Sequence, residues 1–592
     1  MATTTVWAAL TGPRCPNRTY PRRGLACVVA LVILASVWLV TLHLLGLFNI
    51  LFAHPRITAS IVIVATFASA VASCLLLSHI DLPEGTDAAE ETASGVPLAI
   101  KAIVALAAVP YAVLLVNSFL AYPNGTDAIA YHINVALAWL QTGSIRLDTA
   151  MGWQYCLPGN GEMPALFALS LGLERAVFIG NLLSSILLAA SVYSIAWKLT
   201  KQTASSLLSA LLVTTIPIVI YQTFELYVEL FGTAFMVAAV ALMLWRDKSP
   251  LLFVFLSACA TGVSFGVKPI FWVYGVVYGI GSLILVWRQN SKRLQCIALI
   301  AAGLALTSGF WFFRAAVSTG NPLYPMSLSL PSHGKAEGYS AAHLTHTATN
   351  YDARLSSLLW ELEFPWSEPF PADGRLPVES DRGTGPLFAA LAVPGVLFMI
   401  VQAVRRRTTP LQTALLVGTV AALALWAVHL RIIRFSLPAM ALSCAVAAPL
   451  LGELLANCRR SLYTLCFAGL IMNAAYCLPG PTQRLVRQVE RRDWSRATYY
   501  GYPPILDRIT PGGRVYDHFN RVWGSMLAGS GLTNSVRYWG SLKAGDYIVR
   551  AGPKMPEDDS LISGGKAELI YDGIPASLYP KVAMRWRVYR VR

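Results

Sequence analysis

The chain has 592 residues, of which 55% are hydrophobic and only 13% charged, with a mean hydropathy of +0.55. Soluble domains carry about 25% charged residues, so a soluble globular protein is excluded and a polytopic α-helical membrane protein is expected. The net charge of +15 would suggest nucleic acid in a soluble chain. Here much of it lies at the ends of apolar runs, where it reads as topology and contact with anionic lipid.

Arg14, Arg18, Arg22 and Arg23 precede the first apolar run. That run is too long for a signal peptide and lacks a clear small-residue cleavage site, so a retained first helix is expected. About thirteen spans follow from the length a bilayer requires. They fall near 25–49, 57–79, 98–121, 170–197, 203–221, 226–245, 251–266, 269–287, 295–313, 385–403, 411–429, 432–452 and 461–478. With the N-terminus placed in the cytoplasm, alternation puts Lys198, Lys201, Arg246, Lys248, Arg288, Lys292, Arg293, Arg405 to Arg407, Arg459 and Arg460 inside, as the positive-inside rule requires.

This map divides the chain into an extension with two spans (1–97), a transmembrane core (98–479) and an exterior tail (480–592). Two further large pieces, 122–169 and 314–384, also fall outside. The tail holds "RVYDHF", "DYIVRAG", "AELIYDG" and "WRVYRVR" between turn signals, which predicts a small α/β domain. The ten cysteines include no CxxC pair and no zinc spacing, and most lie in predicted spans as small apolar residues. No internal repeat is visible, which weighs against an inverted-repeat transporter. Two exterior segments are amphipathic: "INVALAWLQTG", with Ile133, Leu137 and Leu140 on one face, and "YDARLSSLLWELEFPW", with Leu355, Leu358, Leu359 and Leu362. Each fits a helix on the membrane surface or one packed on protein.

Charges at membrane depth are costly and therefore candidates for function. Asp127 follows "YPNGT" at the start of a predicted helix, where an N-cap is the plain alternative. Glu162 stands in the loop "LPGNGE". Glu225 and Glu229 are four apart, which predicts one helical face. Lys268, in "FGVKP", and Arg314, Arg431 and Arg434 fall on the outer side, against the charge rule. Acids beside cations suit a site that binds a phosphate and activates a hydroxyl.

The order of these residues resembles the GT-C superfamily of membrane glycosyltransferases. The similarity is to the bacterial branch related to protein O-mannosyltransferases and lipid A aminoarabinose transferases. It rests on "DAIAYHINVALAWLQTGS" (Asp127, Tyr131, His132, Trp139, Gly143, Ser144), "PGNGEMPAL", "YVE", "FGVKP", "TGNPLYP", "GTGPLFAAL" and "RFSLPA", and covers roughly 98–440. The chain departs from the pattern in having Glu at 229 where Asp is usual, no Thr before Lys268, and no second acid beside Asp127.

The resemblance implies a sugar donor linked to polyprenyl phosphate, a glycan, lipid or protein acceptor at the outer face of a bacterial inner membrane, and inversion at the anomeric carbon. It implies Asp127 as general base, or as ligand of a divalent metal (Mg or Mn) with Glu229. Lys268, Arg314, Arg431 and Arg434 would hold the donor phosphate, and Tyr131, His132, Glu162, Glu225 and Glu229 would line the substrates. Two competing readings are a transporter or flippase for a lipid-linked or anionic solute, and a polysaccharide polymerase or ligase.

Overall fold

The computed structural model describes residues 20–47, most of 61–73, 96–147 apart from 124 and 126, 153–247, 249–287, 292–330, 334–336, 383–429, 433–492, 495–500, 502–517, 534–537, 542–551, 565–574 and 585–592. The helices are α1 (Tyr20–Leu47), α2 (Leu98–Leu120), α3 (Ile133–Thr142), α4 (Met163–Ser170), α5 (Ile179–Thr200), α6 (Thr203–Thr214), α7 (Pro217–Thr223), α8 (Glu229–Leu244), α9 (Pro250–Phe265), α10 (Ile270–Trp287) and α11 (Arg293–Thr319). They continue with α12 (Val393–Val404), α13 (Pro410–His429), α14 (Leu437–Val446), α15 (Ala448–Asn457), α16 (Arg459–Cys477), α17 (Pro479–Arg491) and α18 (Arg496–Tyr500).

Among the described residues, 8 helices are long and apolar enough to cross a membrane, and 9 if the bent pair α6–α7 is one span. The protein is therefore multi-pass. Helices α8 and α9 and the run Phe388–Val404 are apolar but shorter, so this count does not reach the thirteen expected. The amphipathic segment expected at 351–366 lies outside the described residues.

The bundle is built around α8. Every residue of that helix except Val240 is buried, as expected for a helix apolar on all sides. Helices α5, α9, α10 and α14 pack around it. The first helix also belongs to this core: α1 packs on α5, α8, α9 and α11, with Leu25, Val28, Val29, Val32 and Leu39 fully buried. The opposite surfaces are apolar and open. Val276, Ile280, Leu283 and Ile284 of α10 and Leu306, Phe313 and Val317 of α11 are exposed, as lipid-facing side chains must be.

Two breaks in the helices carry the functional geometry. Pro217 opens α7 after an extended Ile216, and the pair α6–α7 bends by 70° there; proline is favoured in the first helical turn, and the residue before it in an extended conformation. Helix α7 then ends at Thr223, and the chain turns through 224–228 before α8. The amide of Asn181 on α5 donates to the carbonyls of Gln222 (2.8 Å), Glu225 (2.7 Å) and Tyr227. The Gln222 amide oxygen accepts from the Leu230 N–H at 2.8 Å. This turn separates Glu225 from Glu229, so the two acids do not share a helical face as their spacing predicts.

The short helix α3 also resolves an alternative. Ile133, Asn134, Val135, Ala136, Leu137 and Trp139 are all buried, so α3 is packed on protein, against α4.

In the tail, all four segments predicted to be strands are strands: β3 (Arg514–Asp517), β5 (Tyr547–Ala551), β6 (Ala567–Gly573) and β7 (Trp586–Val591). They form a five-stranded sheet with β4 (Ser535–Arg537), in the order β4-β3-β5-β7-β6. Strand β3 pairs parallel to β4 and β5, and β7 pairs antiparallel to β5 and β6. A separate antiparallel pair joins β1 (Leu328–Leu330) and β2 (Gly334–Ala336). The sheet has a core of its own, which includes Tyr502, Leu506, Val515, Val549, Trp586 and Val588.

The Asn181→Ala variant is expected to lower the thermal unfolding midpoint in detergent by the equivalent of roughly 2–4 kcal/mol, because several buried carbonyls lose their donor at about 1–3 kcal/mol each. A midpoint unchanged from wild type would show that the turn stands without this residue.

Candidate active site

Asp127 does not cap its helix; its carboxylate makes no side-chain cap hydrogen bond. It stands at the head of a π-helical turn, Ala128–His132, that leads into α3. π turns are rare and cluster at functional sites. Local residues explain this one. The Gly125 N–H donates to Glu225 Oε2 at 3.0 Å, and a Cβ on Gly125 would come within 2.5 Å of the Tyr227 ring, so only glycine allows the approach. At the other end, the Asn134 amide donates to the Ile129 carbonyl (3.1 Å) and the Ala130 carbonyl (2.7 Å), satisfying oxygens that the widened turn displaces. Glu225 thus serves the backbone of the loop.

The π turn aims Tyr131 back at Asp127, and a closed ring of polar side chains follows. The Tyr131 hydroxyl donates to Asp127 Oδ2 at 3.0 Å and accepts from Lys268 Nζ at 2.8 Å. Lys268 Nζ also donates to Glu229 Oε1 at 2.7 Å. Arg434 closes the ring, with Nη2 2.9 Å from Asp127 Oδ2 and Nε 3.5 Å from Glu229 Oε1. Two carboxylates and two cations balance in formal charge, which meets the requirement that charges out of water be paired. The Asp127 side chain is 19% exposed and that of Glu229 only 1%, so Asp127 is the acid a substrate can reach. Burial, with Asp127 and Glu229 nearby, holds the Tyr131 hydroxyl well above its ordinary range, so it stays protonated and donates.

Each member is held by its own element. Glu229 starts the central helix α8, whose N-terminal dipole favours a carboxylate. Lys268 lies in the turn between α9 and α10. There the Asn160 N–H donates to the Gly266 carbonyl at 2.7 Å, and a Cβ on Gly266 would fall 2.1 Å from the Asn160 amide nitrogen. The Asn160 side chain donates to Val263 O and Thr307 O, both at 3.0 Å, and accepts from the Trp311 indole at 2.6 Å. Arg434 sits on the 3-10 turn Ile433–Ser436, anchored where the Tyr274 hydroxyl donates to Phe435 O at 2.6 Å.

A second pair lies beside the ring. His132, fully buried, meets Glu162 with Nδ1 2.7 Å from Oε1. Burial lowers the His132 pKa well below its usual value and raises that of Glu162 to about 8, against the pull of Lys268. At neutral pH the two therefore share one proton between uncharged partners. Arg314 is apart from the ring. It donates to the carbonyls of Cys156 (3.2 Å) and Leu157 (3.1 Å) and lies over the Trp311 ring, so it fastens the loop before Glu162 and does not join Lys268 as expected. Arg431 lies outside the described residues.

The two expected metal ligands, Asp127 and Glu229, are already engaged by Arg434, Lys268 and Tyr131. Among the described residues no three His, Cys, Asp or Glu converge, and a divalent ion at the two carboxylates would have to displace the cations that already pair with them. Asn134, Asn160 and Asn181, which hold the turns of the site, carry no charge to mark them in the sequence. Their one signal is an amide in an otherwise apolar or glycine-rich stretch.

Lowering the His132 pKa and raising that of Glu162 have separate pH windows. Unfolded, His132 is protonated below 6.5, so its burial costs stability only there. Above that, Glu162 alone matters. It holds a proton in the folded state that it lacks when unfolded, so stability falls as pH rises from about 6.5 to about 8. Wild type is expected to lose about 1.4 kcal/mol per pH unit in this window relative to Glu162→Gln, measured by thermal unfolding at each pH. Parallel profiles for the two proteins would refute the assignment.

No protein-family model matches the chain, and no curated protein sequence matches it. Among solved structures it is similar to ArnT from Cupriavidus metallidurans bound to undecaprenyl phosphate, with a TM-score of 0.54 at 11% identity, covering 82% of this chain and 97% of that one. It is likewise similar to the apo state of the same protein, with a TM-score of 0.52 at 12% identity, covering 83% and 98%. The fold is thus that of ArnT.

Proposed function

We propose that the protein transfers a sugar from a polyprenyl-phosphate donor to an acceptor hydroxyl at the outer face of the inner membrane, with its N-terminus in the cytoplasm and its tail outside. The observation that carries this reading is a partly exposed carboxylate, Asp127, tied within 3 Å to a cation that is itself held by a buried acid. The likeness to an ArnT bound to undecaprenyl phosphate supports the choice of donor.

In this reaction Asp127 takes the proton of the acceptor hydroxyl as its oxygen attacks the anomeric carbon. The bond from that carbon to the phosphate oxygen breaks, and the electron pair leaves with polyprenyl phosphate. Attack from the opposite face inverts the centre. Arg434 and Lys268 stabilise the charge that grows on the leaving phosphate. Lys268 spends two donors on Tyr131 and Glu229, and an ammonium carries three, so one remains for a phosphate oxygen. Glu229 keeps both cations in place. The reaction as drawn needs no metal.

The test uses full-length protein in detergent with radiolabelled polyprenyl-phosphate sugars. Asp127→Asn is expected to lose on the order of 10²–10⁴-fold in turnover, the usual contribution of a general base, with the donor KM little changed. Lys268→Ala is expected to raise that KM. A chelator is expected to leave wild-type turnover within about twofold, because no metal stabilises the leaving group. Full turnover by Asp127→Asn would remove it as the base. Failure of wild type with every donor, alongside solute uptake into liposomes, would replace the reading with a transporter.

A further inference from the structure

The tail makes three separate contacts with the segment that carries Asp127. The Tyr500 hydroxyl, at the end of α18, donates to the Pro123 carbonyl at 2.7 Å, and Tyr122 beside it lies against the rings of Tyr499 and Tyr500. Ile129, inside the π turn, packs on the core of the five-stranded sheet. Past the turn, the Gln141 amide of α3 donates to the Asn534 carbonyl at 2.7 Å. Asn534 is itself buried and fixed by its own amide to the Leu506 carbonyl at 2.8 Å. The contacts fall before, within and after the turn.

We propose that the tail is a positioning element of the active site, which holds the π turn so that Asp127 and Tyr131 face Arg434 and Lys268. This rests on the transferase reading above. A π turn places one extra residue in a helical turn and is uncommon without support. If it relaxed to α-helix, residues on one side of it would rotate by about 100° relative to the other, the angle per residue of a helix with 3.6 residues per turn. Tyr131 and Asp127 would then no longer meet Lys268 and Arg434 together. Asn134 secures the carbonyls of Ile129 and Ala130, and Glu225 secures Gly125. Neither fixes the chain at Pro123 or the far end of α3. The tail does both, and Ile129 ties the middle of the turn to a sheet with its own core. Tyr500 and Gln141 are not members of the ring; they act through the backbone of the segment that carries Asp127 and Tyr131.

The experiment compares full-length wild type, the double variant Tyr500→Phe/Gln141→Leu, and Tyr502→Phe. The last removes a bond internal to the tail, from the Tyr502 hydroxyl to Asp507 Oδ1 at 2.9 Å, and keeps the aromatic ring in the core on which Ile129 packs. Hydrogen–deuterium exchange of peptides covering 123–142 is read without substrate, and kcat and donor KM are read separately. The double variant is expected to exchange faster across the turn and to lose about 10- to 100-fold in kcat, the cost of misplacing a reacting group by an ångström or so, with donor KM within about twofold. Tyr502→Phe is expected to match wild type in both. Unchanged exchange in the double variant overturns the proposal. So does faster exchange with unchanged kcat, or an equal effect in Tyr502→Phe. A wild type that turns over no donor removes the transferase reading, while the exchange result still decides whether the tail holds the turn.

Discussion

The structure around the site depends on one electrostatic constraint: two carboxylates and two cations, largely out of water, must neutralise one another. Asp127, Arg434, Glu229, Lys268 and the Tyr131 hydroxyl meet this as a closed ring. An ion pair withdrawn from water gains little net stability, but removing one partner strands a buried charge at a cost of several kcal/mol. The ring members come from four segments far apart in sequence. Their meeting therefore places demands on the turns that present them, and each turn is fixed by a neutral group. Asn181 holds the turn before Glu229, Asn160 the turn before Lys268, Tyr274 the turn at Arg434, and Asn134 the turn after Asp127.

This division explains what could be read from the sequence. A charge in an apolar setting is conspicuous because its burial is expensive, so Asp127, Glu229, Lys268 and Arg434 stood out one by one. The longest spans were legible for the same reason in reverse, since long apolar runs leave few alternatives in a bilayer, but among the described residues 8 helices, or 9 with the bent pair, reach spanning length against the thirteen expected. Strand patterning in the tail was legible as well, except for β4, whose three residues carry too short a pattern. Which acid meets which cation was not legible, because pairing across long sequence separations is set by tertiary packing. The spacing of Glu225 and Glu229 misled for a specific reason. A four-residue interval implies a shared face only if the helix is continuous, and here α7 ends at Thr223. The π turn was equally hidden: nothing in "DAIAYHIN" separates a π turn from an α turn until the Asn134 amide is seen on two carbonyls.

The likeness to ArnT at 11% identity shows how little of such a fold is specified by particular side chains. A membrane bundle needs apolar runs of the right length, small residues at close crossings and breaks at defined heights, and many sequences supply these. Fold alone does not decide chemistry. What sets this site apart is the ring and the unequal exposure of its two acids.

That inequality divides the work between the carboxylates. Glu229, closed off at the start of the central helix, cannot meet a substrate without the bundle opening, but it is well placed to hold Lys268 and Arg434 at fixed positions. Asp127 lies on a thin, irregular turn, partly exposed, where the acceptor of the proposed reaction could approach. The cost of that accessibility is weak local support, for a five-residue π turn has few internal bonds to hold it. A base on such a segment keeps its aim only if structure from elsewhere in the chain braces it. The tail contacts at Pro123, Ile129 and Gln141 stand where that bracing is required. A sheet joined to the bundle by a single helical connection, and in contact with the turn that carries Asp127, would by the proposal above belong to the same mechanical unit as that carboxylate.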